Sequence, residues 1–349
     1  MKITFIAANL NSGGAERVMS LLANQFSQNG YEVEFVFLKK DIRFYPLHQY
    51  VNVKVAEKEC NSGSLIKKLS WMRKYIRQNK PDAVFAFRIA IYSVTLLSLL
   101  GIKIPVIASE RNDPRFNSRV WKTVQALLLP QANYFVVQTQ QIKNYFPKFI
   151  QKKTDIIFNP VTETVFSLSP IPKVKQIISV GRLHAQKNQK MMIEAFARVS
   201  GQFPEWKLVI YGEGPDRKAL ESLVERLKIE DKVSLPGRSE SVIEELNKSE
   251  IFAFSSDYEG MSNAIVEAFC VGLPIITTKV SGTEDIIIDG ENGFLLERND
   301  VIGMEKAMRE LMGDENLRRK MGDYNKTKSD LFKIDNIFRQ WEMVLKKAI

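Results

Sequence analysis

The strongest constraint on this 349-residue chain is an alternation that runs through it twice. Short apolar runs rich in β-branched and aromatic residues alternate with longer segments of helical period. The first series predicts strands over 3–7, 32–38, 83–87, 106–109, 134–138 and 155–158, and a helix over 15–28 stopped by Gly30. A stretch with three prolines and no periodicity, "NPVTETVFSLSPIPKVK", interrupts the pattern and reads as a linker. The alternation then restarts: "QIISVGR", a helix over 189–199, "WKLVIYGEG", a helix over 216–227, "VSLPG", a helix near 242–248, then "IFAFSS", "LPIITT" and "GFLLE". Strands alternating with helices predict parallel sheets covered on both faces. Two such series predict an α/β chain of two doubly wound domains, spanning 1–165 and 171–330. Residues 333–349, an amphipathic segment, are expected to form a helix that packs back on the first domain. Ligands of such sheets bind where the carboxyl ends of the strands turn into helices, and two such edges can face each other across a cleft.

Composition narrows the function. Cys60 and Cys270 are the only cysteines and have no metal-ligand spacing. The start "MKITFIAANLNSGG" lacks the features of a secretory signal and reads as a first strand, so a cytoplasmic location is expected. The most apolar stretch, "IAIYSVTLLSLLGIKIPVIA", is interrupted by Lys103 and Pro105 and falls short of the roughly 20 residues of a spanning helix. The net charge is +10, and all the excess lies in the first half. Residues 1–170 hold 23 Lys and Arg against 11 Asp and Glu, whereas residues 171–349 hold 27 against 29. A basic half fits an anionic surface, nucleic acid or a phosphorylated substrate; a solvated basic surface is the alternative.

Four segments at predicted strand ends carry candidate chemistry. In "NLNSGGAER", Gly13 and Gly14 allow a ligand close to the backbone at a helix start. In "VGRLHAQKNQ", Arg182 and Lys187 suit a diphosphate, the arginine by its fork and the lysine as a point charge. "YGEGPD" is another glycine-rich strand end. In "EGMSNAIVE", the backbone of Gly260, Met261 and Ser262 is expected at a helix N-terminus, with Glu259 before it and Glu267 two turns in. Carboxylates accept hydrogen bonds from paired hydroxyls. Glu259 also suits a helix dipole, but a glutamate amid "NAIVEAFCVG" needs a partner. A nucleoside diphosphate sugar presents the matching ribose hydroxyls, diphosphate and sugar hydroxyls.

These segments, in this order and over nearly the whole chain, resemble the retaining GT4 family of GT-B glycosyltransferases. The resemblance implies the GT-B fold, two doubly wound Rossmann-like domains facing across a cleft. It implies a UDP-sugar donor held mainly by the C-terminal domain and an acceptor held mainly by the N-terminal one. On it, Arg182 and Lys187 bind the diphosphate, Glu267 the ribose, and Glu259 the transferred sugar. The Gly260–Ser262 amides assist, backbone near Arg238 meets the base, and Gly13 and Gly14 close on the diphosphate. Glu259, Arg182 and Lys187 are the expected catalytic groups. One departure stands out. Many relatives carry a histidine after the strand that here ends in "VIASERNDP"; Glu110 and Arg111 stand there instead, and an arginine cannot act as a base. No D-x-D triplet is present, so a metal-independent reaction without cofactor is expected, with the cations stabilising the leaving diphosphate. For the family, the departing phosphate oxygen is the proposed acceptor of the nucleophile's proton.

The acceptor is read from "SLIKKLSWMRKYIRQNK", an amphipathic helix with Leu65, Leu69, Met72 and Ile76 on one face. Lys67, Lys74 and Arg77 lie near another, flanked by Lys68 and Arg73. Together with Glu110 and Arg111 these cations are the candidate acceptor and lipid contacts, suiting a polyprenyl diphosphate or an anionic membrane surface. An ordinary solvated basic face is the alternative. The segment resembles the basic helix of PglH-type polymerases, which add N-acetylgalactosamine to lipid-linked oligosaccharides. That implies transfer of GalNAc or GlcNAc to a membrane-associated glycan, at the inner face of the cell membrane. Two other classes stay open: an anion- or nucleic-acid-binding α/β protein, and a GT-B isomerase or hydrolase without an acceptor. No nucleic-acid module motif appears and few aromatics interleave the cations, so no nucleic-acid partner is expected.

Overall fold

A computed structural model describes residues 1–11, 13–60 and 63–349. Ser12, inside the glycine-rich segment after the first strand, lies outside the described residues. Two compact units share the chain. Met1–Pro160 and Ile334–Ile349 form the first, and Val161–Lys333 the second.

The first unit holds strands β1 (Lys2–Ala7), β2 (Glu32–Phe37), β3 (Asn52–Val55), β4 (Ala83–Phe87), β5 (Val106–Ser109), β6 (Tyr134–Val137) and β7 (Thr154–Ile156). They form one parallel sheet in the order β3-β2-β1-β4-β5-β6-β7. Apart from Lys2 at the start of β1, the central strands β1 and β4 are buried, which is why they read as continuous apolar runs. Sequence reading missed β3. Its residues "NVKV" lie at a sheet edge, half of them exposed, so they show only a short alternation. The helices are α1 (Gly14–Gln28), α2 (Ala56–Glu59), α3 (Leu65–Asn79), α4 (Ile89–Ser98), α5 (Arg119–Leu128), α6 (Gln140–Tyr145) and α7 (Lys148–Gln151). The aromatic side chains Phe5, Phe26, Phe35 and Phe85 meet on one sheet face.

The second unit holds β8 (Gln176–Val180), β9 (Lys207–Tyr211), β10 (Val233–Gly237), β11 (Ile251–Phe254), β12 (Ile275–Thr278) and β13 (Gly293–Leu296), in the order β10-β9-β8-β11-β12-β13. Its helices are α8 (Gln189–Val199), α9 (Arg217–Leu227), α10 (Val242–Lys248), α11 (Asn263–Val271), α12 (Val301–Gly313) and α13 (Glu315–Lys328). The last helix, α14 (Ile334–Ala348), belongs to the first unit. Phe338 meets Phe26 edge-on at 4.9 Å, and Trp341 stacks on Phe87 at 5.2 Å. Asp335 accepts from Gln25 and Glu342 from Tyr31. The apolar face of α14 thus completes the core over β1 and β4.

Both sheets have the same construction. In each, the first strand is central and its neighbours follow it by different routes: β1 lies between β2 and β4, and β8 between β9 and β11. That reversal of strand order opens a crevice at the carboxyl ends of the two central strands. Among the described residues no helix is long and apolar enough to cross a membrane.

Candidate active site

In the second unit, the switch point brings the loop after β8 against the loop after β11. Gln186 anchors them by accepting from the Asp257 amide at 2.9 Å and donating to the Tyr258 carbonyl at 2.7 Å. The Ser255 hydroxyl donates to the Lys187 and Asn188 carbonyls, both at 2.9 Å. Asn188 takes a left-handed conformation (φ 45°) and its amide reaches Asp257 and Asn299. These contacts aim Lys187 at the other loop. Its Nζ lies 2.6 Å from Glu259 Oε1 and 4.8 Å from the centre of the Phe254 ring. The two side chains retain only 14% and 12% exposure. The sequence placed Lys187 on a phosphate and Glu259 on a sugar; the structure joins them as one pair. Arg182 stands exposed five residues earlier, ahead of the short helical turn that carries Lys187.

The opening helix is shorter at its start than expected. It begins at Asn263, with Ser262 at its N-cap position and no side-chain cap. Gly260 and Met261 therefore lie in the preceding loop, not in the helix terminus, and Glu267 sits just over one turn in rather than two. Glu267 is buried at 5% exposure amid the apolar residues of α11. Gly272, at φ 86°, ends this helix in the left-handed conformation that glycine takes without strain.

The "YGEG" glycines have a packing reason. A Cβ on Gly212 would overlap the Gly181 carbonyl, and one on Gly214 the Leu183 carbonyl. Their absent side chains let the end of β9 press against the loop that carries Arg182. Arg238 is exposed just beyond β10. Nearby, Arg217 holds Glu213 by two hydrogen bonds of 2.9 and 2.7 Å, and this guanidinium keeps the Glu213 carboxyl below its usual range.

In the first unit, Gly13 caps α1 without a side-chain bond and Gly14 begins the helix. A Cβ on Gly13 would collide with the Glu16 carboxylate. Glu16 in turn accepts from Arg88 Nη1 at 2.9 Å. Neither Glu16 nor Arg88 was singled out from sequence. The available signal was a lone cation set between a wholly apolar strand and an apolar helix.

Glu110 is corrected as an acceptor contact. It is 1% exposed, and all its acceptor capacity is used inside the unit. Oε1 accepts from the Arg111 and Asn112 amides, and Oε2 from Tyr92 at 3.0 Å and Gln125 at 3.3 Å. Burial pushes its pKa up to about 7 despite those donors. The Arg111 side chain is also buried, with Nη2 2.5 Å from Asn159 Oδ1 and the guanidinium over the Phe87 ring. Burial lowers its pKa, opposed by Glu110 beside it.

Lys68 is likewise corrected. It is buried in α3 and pairs with Glu57 of α2 at 3.1 Å, so it ties two helices together. Arg73 donates to the Ser98 and Leu100 carbonyls, satisfying the end of α4. Met72 and Ile76 are buried, whereas Leu65 is exposed and does not join the apolar face. Lys67, Lys74 and Arg77 remain exposed. Ser70, Arg73, Lys74, Arg77 and Gln78 line an open depression of ≈ 440 Å³.

Two Rossmann-like parallel sheets, each with candidate ligand groups at its switch point, make up the GT-B fold. The solved chain of Anabaena Alr3699/HepE in complex with UDP superposes with a TM-score of 0.86 at 18% identity, covering 99% of this chain and all of that one. Residues 12–164 match Glycosyltransferase Family 4 and residues 161–328 match Glycosyl transferases group 1. The chain belongs to the GT4 family of glycosyltransferases. Among its relatives is a Campylobacter jejuni GalNAc-alpha-(1->4)-GalNAc-alpha-(1->3)-diNAcBac-PP-undecaprenol alpha-1,4-N-acetyl-D-galactosaminyltransferase, 29% identical over 98% of this chain and 97% of the relative. A second C. jejuni enzyme, an N-acetylgalactosamine-N,N'-diacetylbacillosaminyl-diphospho-undecaprenol 4-alpha-N-acetylgalactosaminyltransferase, is 28% identical over 95% of each chain.

Proposed function

We propose that this enzyme moves GalNAc or GlcNAc, with retention of configuration, from a UDP-sugar to a polyprenyl-diphosphate-linked glycan. The observation that carries the reading is the Lys187–Glu259 pair at the β8/β11 switch point, with exposed Arg182 on the same loop after β8. A cation next to a carboxylate offers an anion contact and a hydroxyl acceptor within one side chain of each other. Arg182 and Lys187 receive the diphosphate and stabilise the charge that grows on it as the glycosidic bond breaks. Glu259 accepts from hydroxyls of the transferred sugar, and Glu267 from the ribose. The amides of Gly260, Met261 and Ser262 donate to sugar or phosphate oxygens. Gly13 and Gly14 leave room for diphosphate oxygens near the backbone, and backbone at Arg238 meets the base. The departing phosphate oxygen takes the proton of the acceptor hydroxyl on the same face of the sugar, so the reaction needs no separate base. The proposal is metal-independent, since the cationic pair supplies the charge that a metal would supply.

The acceptor half of the reading is supported by the two C. jejuni relatives, whose names specify undecaprenol-linked acceptors. Lys67, Lys74 and Arg77 on the exposed side of α3 hold the lipid diphosphate or the anionic membrane surface. Mass spectrometry of products from a panel of UDP-sugars offered with polyprenyl-diphosphate glycans tests the whole reading. A single UDP-sugar extending the lipid-linked glycan, in EDTA, is the expected result. Hydrolysis of donor without transfer, or transfer only to soluble sugars, overturns it.

A further inference from the structure

Arg88 occupies an unusual backbone position. It follows β4 directly and takes φ 70°, ψ 142°. Lys80, Asn188 and Lys228 also have positive φ, but with ψ near 50° they lie in the ordinary left-handed region. Arg88 lies near a region occupied almost only by glycine. Glycine would make this strand-to-helix turn without strain.

The arginine gains little packing in return. Its side chain is 52% exposed, and its one side-chain hydrogen bond among the described residues goes to Glu16. An ion pair whose cation is this exposed contributes little to stability. The backbone, by contrast, is fully engaged: the Arg88 amide donates to the Ser109 carbonyl at 2.8 Å, and its carbonyl accepts from Ile91 and Tyr92. The turn is therefore fixed, and the guanidinium stands at the carboxyl edge of β4 beside β1, the switch point of the first sheet. Glu16 is half of the arrangement. Its carboxylate is 12% exposed, folded over Gly13, and holds one Nη of Arg88, while among the described residues the remaining donors of the fork stay open.

We propose that Arg88 is a substrate-binding residue that receives a phosphate oxygen at the switch point of the first unit, with Glu16 as its positioning residue. The inference rests on the proposed diphosphate substrates. The phosphate belongs either to the donor nucleotide or to the lipid diphosphate of the acceptor. A planar fork with open donors fits either one bidentately.

The experiment compares wild type with Arg88→Gly, Arg88→Gln, Arg88→Lys and Glu16→Gln in thermal unfolding and steady-state kinetics. Arg88→Gly should unfold at the wild-type temperature or above it while kcat/KM falls about tenfold to a hundredfold. Arg88→Lys should recover part of that loss, and Glu16→Gln should raise KM more than it lowers kcat. A rise in KM for the UDP-sugar alone assigns the phosphate to the donor; a rise for the lipid-linked acceptor alone assigns it to the acceptor. Inorganic pyrophosphate carries the anion without nucleoside, sugar or lipid. It should raise the unfolding temperature of wild type more than that of Arg88→Gln. That arm reads Arg88 even where no tested sugar is transferred, which separates failure here from failure of the donor and acceptor assignment. Equal pyrophosphate shifts in both proteins overturn the proposal. So does an Arg88→Gly protein that is less stable yet turns over like wild type.

Discussion

Lys187 Nζ and Glu259 Oε1 meet at 2.6 Å, joining the loop after β8 to the loop after β11 where both side chains are largely withdrawn from water. Removing either charge leaves the other without its partner in a partly buried site. The two residues should therefore behave as a unit. Lys187→Ala and Glu259→Ala should each lower kcat strongly, and the double variant should lose less than the product of the single losses. The coupling expected for groups in contact is about 0.5–3 kcal/mol. A double-mutant cycle on kcat/KM measures it, and strict additivity would show that the pair does not act together.

Glu267 tests the donor assignment separately. One lost hydrogen bond to a charged group is worth about 1.5–3 kcal/mol, so Glu267→Ala should weaken UDP binding roughly tenfold to a hundredfold. Calorimetry with UDP gives the number directly. A folded variant with wild-type affinity would falsify the ribose role.

Much of this site was legible because its chemistry sits at strand ends, and strand ends are where apolar runs stop. Arg182, Lys187 and Glu259 each follow a buried strand closely enough for sequence to place them at the sheet edge. What sequence could not show was contact between segments far apart in the chain. The 2.6 Å pairing of Lys187 with Glu259 and the burial of Lys68 against Glu57 depend on packing rather than on local pattern. Glu110 is the sharpest case. An acidic residue beside an arginine at a sheet edge reads as a surface contact. Only the arrival of Tyr92 and Gln125 from two different helices makes it an internal anchor.

The buried Glu110 carboxyl should leave a pH signature in stability. Its folded pKa of about 7 lies above the ordinary glutamate value of 4.5, so the folded state binds this proton more tightly than the unfolded state does. The contribution favours folding below about pH 4.5 and is lost as the pH rises through about 7. Each pKa unit corresponds to about 1.4 kcal/mol. Glu110→Gln keeps the size of the side chain and removes this ionisation. Relative to wild type, the variant should gain stability between pH 5 and pH 8, by on the order of 3 kcal/mol. Urea unfolding at both pH values measures the difference. A constant gap between the two proteins across that range would rule out a titrating Glu110.

The exposed cations of α3 carry the acceptor proposal, and burial now separates them from their neighbour. Lys67, Lys74 and Arg77 are exposed, whereas Lys68 pairs with Glu57 inside the unit. Lys67 and Arg77 are ten residues apart, or about 15 Å along the helix axis. Converting the three exposed cations to Gln keeps helix propensity and removes three charges. Near an anionic membrane each is worth about 1 kcal/mol, and the contribution falls as salt rises. The triple variant should bind UDP normally and unfold at nearly the wild-type temperature. Its KM for a lipid-linked acceptor should rise, and its sedimentation with anionic liposomes should fall. Lys68→Gln should do the opposite, lowering the unfolding temperature with little change in acceptor KM. A nucleic-acid role predicts lost oligonucleotide binding in the triple variant with transfer unaffected. If the triple variant extends its acceptor and sediments with liposomes like wild type, the basic side of α3 is a solvated surface and the acceptor is held elsewhere.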